Sequence, residues 1–135
     1  MKRSISAGFS LLELLITLAI VAILASITVP SYTGLVAKTR RSDAVIALVD
    51  VQLAQERWRA SHSAYATDLA DLGVPGGGSP KDHYRLQIQD ADARNFLAVA
   101  HPRGAQEGDF CGDFAIRADG PAYGHGFADP HCWKR

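Results

Sequence analysis

The stretch GFSLLELLITLAIVAILASITV, residues 8–29, decides how this chain folds and where it resides. Between Phe9 and Val29 the only charged side chain is that of Glu13. As a helix, this segment is about 30 Å long at 1.5 Å per residue, which matches the hydrocarbon core of a bilayer. A carboxylate facing lipid costs roughly 2.5–3.5 kcal/mol on insertion scales. The sequence therefore predicts a membrane-spanning helix in which Glu13 needs a cationic partner.

The residues before Glu13 suggest how that partner arises. A cut in the peptide bond between Gly8 and Phe9 would leave a cationic amino group on Phe9, about one helical turn from Glu13. Lys2 and Arg3 precede the cut and would hold the start of the chain on the cytoplasmic side. This combination of a basic leader, a Gly–Phe junction and a glutamate four residues beyond the phenylalanine resembles the processing site of a type IV prepilin.

The resemblance implies a specific maturation and a set of partners. A prepilin peptidase would cleave after Gly8, and the new amine of Phe9 would be methylated. Glu13 would pair with that amine and set the axial register as the subunit docks onto other pilin subunits. The family also implies an inner-membrane assembly platform, an assembly ATPase and an outer-membrane secretin. The expected location is the inner membrane, with a single span and a periplasmic globular domain, and then an extracellular pilus used for adhesion, twitching motility or DNA uptake.

Two ordinary interpretations of the apolar segment compete with this one. A cleaved secretory signal peptide needs small residues at the distal end of the run, and Ile23-Leu24-Ala25 fits that need poorly. It would also leave Glu13 unexplained. A plain signal anchor would make the glutamate an accident. A cut at Gly8 explains more, because it removes only the polar leader and keeps the apolar helix on the mature protein.

The helix is predicted to continue past the apolar segment to about Arg59. Pro30 lacks a backbone N–H and should kink it, and Gly34 loosens it further. Beyond that point, apolar residues at three- and four-residue steps form one stripe for packing on the chain's own globular domain: Ala44, Ala47, Leu48, Val51, Ala54 and Trp58. The opposite face is predicted to be polar and to contain Arg40, Arg41, Asp43, Asp50, Gln52, Arg57 and Arg59.

Two features of this second half have a predicted role. Trp58 is expected to anchor the core at the end of the stripe. The basic cluster of Lys38, Arg40 and Arg41 is either a solvated helix face or a contact for acidic groups on neighbouring subunits, where individual surface pairs would be weak.

The C-terminal part has the pattern of a small sheet. Residues 61–82 are predicted to form a connecting loop, with a run of glycine and proline from 73 to 80. Apolar and polar residues alternate from Tyr84 to Gln89, which predicts a first strand, and three more are predicted at 95–100, 114–118 and 123–128. Short connections favour antiparallel pairing.

The predicted fold class is therefore α+β, with a long kinked N-terminal helix packed on a small antiparallel sheet, as the resemblance to pilins also implies. The expected segments are a leader peptide at 1–8, a transmembrane and filament-core half of the helix at 9–29, an amphipathic half at 30–60 and a globular region at 61–135.

The two cysteines, Cys111 and Cys132, both lie in the final quarter of the chain. In an exported domain a disulfide is the default expectation, and pilins commonly close their final segment in this way. Loop-closure reasoning gives such a bridge about 3 kcal/mol. Two unrelated buried thiols remain an alternative, as does a metal site formed by Cys132 with His131 or His125, although no ligand spacing is recognisable.

No catalytic or cofactor-binding constellation is recognisable in the sequence. The histidines are scattered over predicted loops, at His62, His83, His101, His125 and His131. The glycines at 76–78 lack the lysine and the following helix of a phosphate-binding loop. The sequence thus predicts a structural protein rather than an enzyme, with no cofactor and no metal.

Two related functions compete with that of a pilus subunit, for which the small domain favours the minor type. A pseudopilin of a type II secretion system shares the leader and Glu13, but the cysteine pair favours a pilus. A DNA-uptake pilin would need a basic surface with aromatic side chains, for which the candidates are Arg94, Arg103, Trp133, Lys134 and Arg135. From Ser61 onward, seven basic and ten acidic side chains argue against a strong general affinity for nucleic acid, so DNA binding is not favoured.

Overall fold

The computed structural model describes residues 8–134, apart from the side chains at positions 30 and 31. The leader residues Lys2 and Arg3, and the C-terminal Arg135, lie outside the described residues. The chain forms two compact units, Met1–Leu35 and Val36–Arg135. Its elements are α1 (Leu11–Arg59), β1 (Tyr84–Ala91), β2 (Phe96–Pro102), a 3₁₀ turn (Gly104–Gln106), β3 (Phe114–Arg117) and β4 (Gly120–Ala122).

The first unit is an apolar helix whose side chains are exposed. None of its most apolar 18-residue window is buried, and it is long and apolar enough to cross a membrane. The hydroxyls of Thr17, Ser26 and Thr28 donate hydrogen bonds to helix carbonyls three or four residues earlier. These polar groups are therefore satisfied within the helix, as an apolar surrounding requires. Helical backbone continues through position 30, and the kink at Pro30 stays a prediction.

In the second unit, the helix from residue 36 to Arg59 packs on the sheet through the predicted stripe. Ala44, Ala47, Leu48 and Val51 are buried in one cluster with Tyr84, Leu86, Phe96, Ala98, Ala100, Phe114 and Ile116 from the strands. The helix ends at Arg59, as predicted, and the strands form an α+β fold with it. Shape-complementary burial of this apolar surface is the main stabilising contribution to the unit.

Two predictions about this half of the helix are wrong. Asp43, which was expected on the polar face, is buried with 4% of its surface exposed. Trp58 is half-buried and stacks flat on the exposed His62 ring, with 3.7 Å between ring centroids, instead of anchoring the core. The end of the helix is held instead by Gln55, whose buried amide donates to the carbonyl of Ala66 and accepts from its N–H, both at 2.8 Å.

The sheet has the order β1-β2-β3-β4, and every neighbouring pair is antiparallel. The predicted alternation in β1 is confirmed, because Tyr84 and Leu86 are buried and Arg85 and Gln87 are exposed. The fourth strand was predicted at 123–128 but lies at Gly120–Ala122. It follows β3 after two residues, so that Gly120 pairs directly with Arg117. Residues 123–128 contribute only isolated bridges among the described residues.

The loop before β1 covers part of that strand's free edge. The N–H of Leu86 donates to the carbonyl of Gly77 at 2.6 Å, and Gly78 forms a bridge with Arg85. Gly77 has a φ of 63°, and a Cβ there would lie 2.9 Å from the carbonyl oxygen of Leu86. Only glycine meets both conditions, so this loop is held closely against the sheet.

Candidate functional site

The predicted processing site lies at the exposed start of α1. The helix begins at Leu11, and its first backbone hydrogen bond runs from the N–H of Leu14 to the carbonyl of Ser10 at 3.1 Å. Gly8 and Phe9 therefore precede the helix, and Phe9 is 82% exposed. A peptide bond in this position is accessible to a protease without unfolding of the helix. A Cβ at Gly8 would meet no atom within 4 Å.

Glu13 lies in the first turn of α1, where the positive end of the helix dipole favours an acidic side chain. Within residues 8–134 its carboxylate makes no hydrogen bond and no ion pair, whereas its backbone carbonyl accepts from Thr17. The structure therefore leaves this acid exposed and without a partner inside the described chain. A free amine at Phe9 would supply a charge of the right sign nearby.

The second predicted site is the cysteine pair. Cys111 and Cys132 are joined by a disulfide, with 6.0 Å between their Cα atoms. Both are buried in the core cluster. The bridge connects the turn before β3 to the turn at residues 130–133. Next to it, Trp133 packs edge-on against Phe114 with 5.4 Å between ring centroids. The enclosed segment is further tied by a hydrogen bond of 2.7 Å from the N–H of Ala128 to the carbonyl of Asp113.

The structure does not support the alternative of a metal site at the cysteines. Cys111, His131 and Cys132 bring possible ligand atoms within 4.8 Å of one another. However, both sulfurs are consumed in the disulfide, which leaves the imidazole of His131 as the one available ligand of this group. His125 is not part of it. A single exposed imidazole does not make a site.

A part-buried ion pair holds the residues before the disulfide against the helix. The guanidinium of Arg41 donates to both carboxylate oxygens of Asp109, at 2.7 and 2.6 Å, and the two side chains are 11% and 3% exposed. The hydrogen bond to Asp109 raises the pKa of Arg41 above its usual value. Arg41 also lies over the ring of Phe110, 4.5 Å from its centroid. It therefore has an internal partner, which corrects the prediction that it belongs to a solvated or intersubunit cluster.

More polar groups surround this pair. The amide of Gln106 donates to Asp109 at 3.0 Å and to the carbonyl of Ala37 at 3.2 Å. The hydroxyl of Tyr84 and Oε1 of Gln106 are buried without a hydrogen-bond partner among the described residues. Burial raises the pKa of Tyr84 to about 12. The second half of α1 is thus bound to the region before the disulfide by a specific polar contact as well as by apolar packing.

Asp43 organises the loop that precedes β1. Its carboxylate accepts a hydrogen bond from the hydroxyl of Ser79, and others from the N–H groups of Lys81, at 3.0 Å, and His83, at 3.3 Å. The hydroxyl of Ser79 in turn accepts from the N–H of Tyr84 at 3.0 Å. Because three donors converge on one buried carboxylate, the burial of Asp43 is compensated.

The basic residues suggested for DNA contact do not lie together. Arg94 lies in the turn between β1 and β2, whereas Arg103 follows the other end of β2, so they are about 20 Å apart along the strands at 3.3 Å per residue. Trp133 is half-buried, with its indole N–H buried and without a partner among the described residues. The proposed constellation of Arg94, Arg103, Trp133 and Lys134 is therefore not formed.

A different basic cluster lies where β1 begins. Lys81 and Arg85 are exposed, and Arg85 is directly opposite His101 on β2. The N–H of Arg103 donates to the carbonyl of His83 at 2.9 Å, which brings Arg103 to the same end of the sheet. Two acids partly neutralise the cluster, since Asp82 pairs with Arg103 and Asp113 with His101. Part of this cluster has a local signal in the sequence, because the basic residues Lys81 and Arg85 lie close together at the start of β1. The position of His101 opposite Arg85 has no such signal, because it depends on how β1 and β2 are paired.

Comparisons with known proteins match both parts of the chain. Residues 3–29 match the prokaryotic N-terminal methylation motif. Residues 30–115 match the family described as "Type IV minor pilin ComP, DNA uptake sequence receptor". Together the two models cover the apolar segment, the rest of α1, β1, β2 and the first two residues of β3.

Individual relatives include pilins and one secretion protein. The type IV major pilin protein PilE of Neisseria gonorrhoeae is 29% identical over 64% of this chain and 52% of its own length. The type IV wide pilus major component PilA4 of Thermus thermophilus is 34% identical over 69% of this chain and 71% of its own. The type II secretion system core protein G of Klebsiella michiganensis is 34% identical over 50% of this chain and 47% of its own. The chain spans about half the length of the Neisseria relatives it matches.

Proposed function

The chain belongs to the type IV pilin family, in the group of the minor pilin ComP, and from this premise we propose that it is a structural subunit of a type IV pilus. It is inserted in the inner membrane through the apolar segment from Phe9 to Val29, is trimmed after Gly8, and joins other pilin subunits in a filament. The observation that supports this most directly is the exposed apolar helix, which follows an accessible Gly8–Phe9 junction and contains one acid, Glu13, without a partner among residues 8–134.

The same features explain what each N-terminal residue does in this proposal. Among the described residues, none lies within 4 Å of a Cβ built at position 8, which is consistent with a role of Gly8 in recognition by the peptidase. The apolar surface that follows is stable in lipid and equally stable among other apolar helices, which allows transfer from membrane to fibre. The family that the chain matches is one of pilus subunits, and we therefore assign the chain a structural role.

Processing after Gly8 is tested by the mass of the mature protein. We expect mass spectrometry of the chain from its native host to give an N-terminus at Phe9 with one added methyl group, and no Lys2 or Arg3. Substitution of Gly8 by a bulky residue such as valine should leave the full-length precursor in the membrane. A wild-type protein that begins at Met1, or well beyond Phe9, would contradict the proposed processing.

The match to the type II secretion protein supports a second interpretation, in which the chain is a pseudopilin. The longer match to the ComP family at 30–115 and the C-terminal disulfide favour the pilus. The partners of a pilus subunit follow from this proposal: a prepilin peptidase, an inner-membrane platform, an assembly ATPase and a secretin.

One observation favours DNA uptake as a second candidate function. The matched family is described as a receptor for a DNA uptake sequence, and the structure has a basic cluster of Lys81, Arg85 and Arg103 at one end of the sheet. Phosphate contacts by such side chains provide sequence-independent affinity and a steep dependence on salt. The acids Asp82 and Asp113 limit the net charge of this surface.

A titration of the full chain in detergent with short duplex DNA tests this second function. If the cluster binds phosphates, Lys81→Gln with Arg85→Gln should weaken binding several-fold at low salt and reduce the slope of log K against log [salt] by about 2. Arg94→Gln with Arg117→Gln removes the same charge at the opposite end of the sheet and should change neither value. Equal losses for both pairs, or no binding by the wild type, would argue against a DNA site at this cluster.

A further inference from the structure

The two sulfurs of the disulfide lie in different electrostatic surroundings. Cys111 and Cys132 are 5% and 4% exposed, so burial does not distinguish them. A basic side chain does, because Nε2 of His131 lies 3.5 Å from Sγ of Cys132, within hydrogen-bond reach of a sulfur. No such contact joins His131 to Cys111 among the described residues. The imidazole is therefore placed to act on one sulfur more than on the other.

Basic side chains of α1 and of the segment after the disulfide also lie beside Cys132. A small cavity next to this cysteine is lined by Lys38, Arg41, Ser42, Val45, Trp133 and Lys134, and the other cysteine is not part of its lining. Lys38 and Lys134 are exposed and make no hydrogen bond or ion pair within residues 8–134. Arg41 contributes less positive charge, because Asp109 neutralises it. Two lysines without an internal partner thus line a cavity with the cysteine that the imidazole contacts.

The acidic groups near the two cysteines strengthen this difference. Cys111 stands between two acids in the chain, Asp109 and Asp113, each of which is paired with a basic side chain. The turn that contains Cys132 has one acid, Asp129, whose side chain is exposed and whose backbone carbonyl accepts from the N–H of Cys132 at 2.9 Å. A negative charge on sulfur is therefore stabilised more at Cys132 than at Cys111.

We propose that, in the reduced chain, Cys132 is the thiol that attacks an external disulfide first, because the basic side chains around it hold it as the thiolate. The co-reactant is a molecule with a reactive disulfide. Sγ of Cys132 bonds to one of its sulfurs, and its other sulfur leaves as a thiolate. The thiol of Cys111 then loses its proton and attacks Sγ of Cys132, which expels the second thiolate and closes the native bridge. The co-reactant gains two electrons, and the two protons released by the cysteines pass to solvent or to its thiolates.

The advantage of Cys132 depends on pH in a way that identifies its cause. The thiolate is the nucleophile, and nearby cations increase the fraction of a thiol that is ionised at neutral pH. Where that fraction rises about tenfold, the intrinsic nucleophilicity of the thiolate falls by about threefold, so the net gain in rate is about threefold. At about pH 10 both thiols are largely ionised, and the stabilised thiolate then reacts no faster than the other.

Competition between the two thiols of one molecule tests the proposal. The full chain in mild detergent is reduced and treated with a limiting amount of iodoacetamide, a neutral reagent, and peptide mass spectrometry measures the label on each cysteine. We expect at least about three times more label on Cys132 than on Cys111 at pH 7, and a ratio of about one or below at about pH 10. Equal labelling at pH 7, or a preference for Cys111, would overturn the proposal.

Three variants separate the effect of charge from that of access to the sulfur. Lys38→Gln with Lys134→Gln removes two cations, and His131→Phe removes the imidazole but keeps a ring against Phe110. Each should lower the labelling ratio at pH 7 by about twofold or more. Arg57→Gln removes a cation from the same helix about 28 Å beyond Lys38 and should leave the ratio unchanged. A ratio that stays the same in all three variants would show that access selects the reacting thiol, and would overturn the proposal.

Unfolding separates the contribution of the fold from that of the neighbouring sequence. His131 and Lys134 lie within two residues of Cys132 in the chain, whereas Lys38 reaches it only through folding. In concentrated urea the wild-type ratio should therefore fall, and Lys38→Gln alone should no longer change it. Equal wild-type ratios in detergent and in urea would overturn the contribution of α1. The purified chain suffices for these measurements, so their outcome does not depend on the pilus role.

Discussion

Glu13→Val is expected to remain in the membrane, to be cut after Gly8, and yet to be nearly absent from filaments. In the proposed assembly, the amine of Phe9 enters an apolar fibre and needs the carboxylate of Glu13. An unpaired charge in such a surrounding costs roughly 2.5–3.5 kcal/mol. Since each 1.4 kcal/mol is a factor of about ten, incorporation beside wild-type subunits should fall by more than about tenfold. The measurement is the ratio of tagged chain in the sheared filament fraction to that in the membrane fraction.

Two control variants distinguish the effect of losing the charge at position 13 from the effect of changing side-chain size. Leu14→Val makes a similar change in size at the neighbouring exposed position and should enter filaments as the wild type does. Glu13→Gln keeps the size of the side chain but removes its charge and should fail nearly as badly as valine. If Glu13→Val subunits were found in filaments at the normal frequency, the pairing role of this acid would be wrong.

The second large effect is expected for Arg41→Met. This change leaves Asp109, which is 3% exposed, without its bidentate partner. Because the pair is part-buried, removal of one partner of this charged hydrogen bond is expected to lower the free energy of unfolding by about 1.5–3 kcal/mol. Urea unfolding of the full chain in a mild detergent, followed by the fluorescence of Trp133 in a Trp58→Phe background, would show a lower midpoint. The contact between α1 and the residues before the disulfide would also be lost.

The chain provides a matched control on the same helix. Arg57→Met removes the same functional group from an exposed position without an internal partner, and it should change the free energy of unfolding by no more than about 0.5 kcal/mol. The double variant Arg41→Met with Asp109→Leu removes both charges and should recover much of the loss. An effect of Arg41→Met as small as that of Arg57→Met would show that the pair does not stabilise the fold.

Features encoded by neighbouring residues were predictable from the sequence. The end of α1 at Arg59, the apolar stripe through Ala44, Leu48 and Val51, and the alternation in β1 depend on periodicity within a few turns or strand positions. The Gly8–Phe9 junction and Glu13 form an equally local pattern. These features can be found from the sequence because the residues that produce each of them lie within a few positions of one another.

The wrong predictions concern residues whose partners lie far away in the sequence. Asp43 was assigned to the polar face because its partners, at Ser79 and beyond, lie 36 or more residues away. Arg41 was grouped with Lys38 and Arg40 because its partner Asp109 is 68 residues distant. β4 was placed too late because its position depends on a two-residue turn after β3, where the sequence offers several glycines. In each case a contact distant in sequence overrides the local pattern.

The bond between Cys111 and Cys132 also fixes an order of events in the life of the subunit. A thiol pair stays reduced in the cytosol and is oxidised only after export. The segment that it encloses includes β4, and both sulfurs lie in the core. In the proposed location, the last part of the domain would therefore mature after the helix from Leu11 onward has entered the membrane. Subunits held in the membrane with reduced thiols would be incompletely folded. Oxidative capacity outside the cytoplasm, rather than synthesis alone, would then limit the supply of building blocks ready for the fibre.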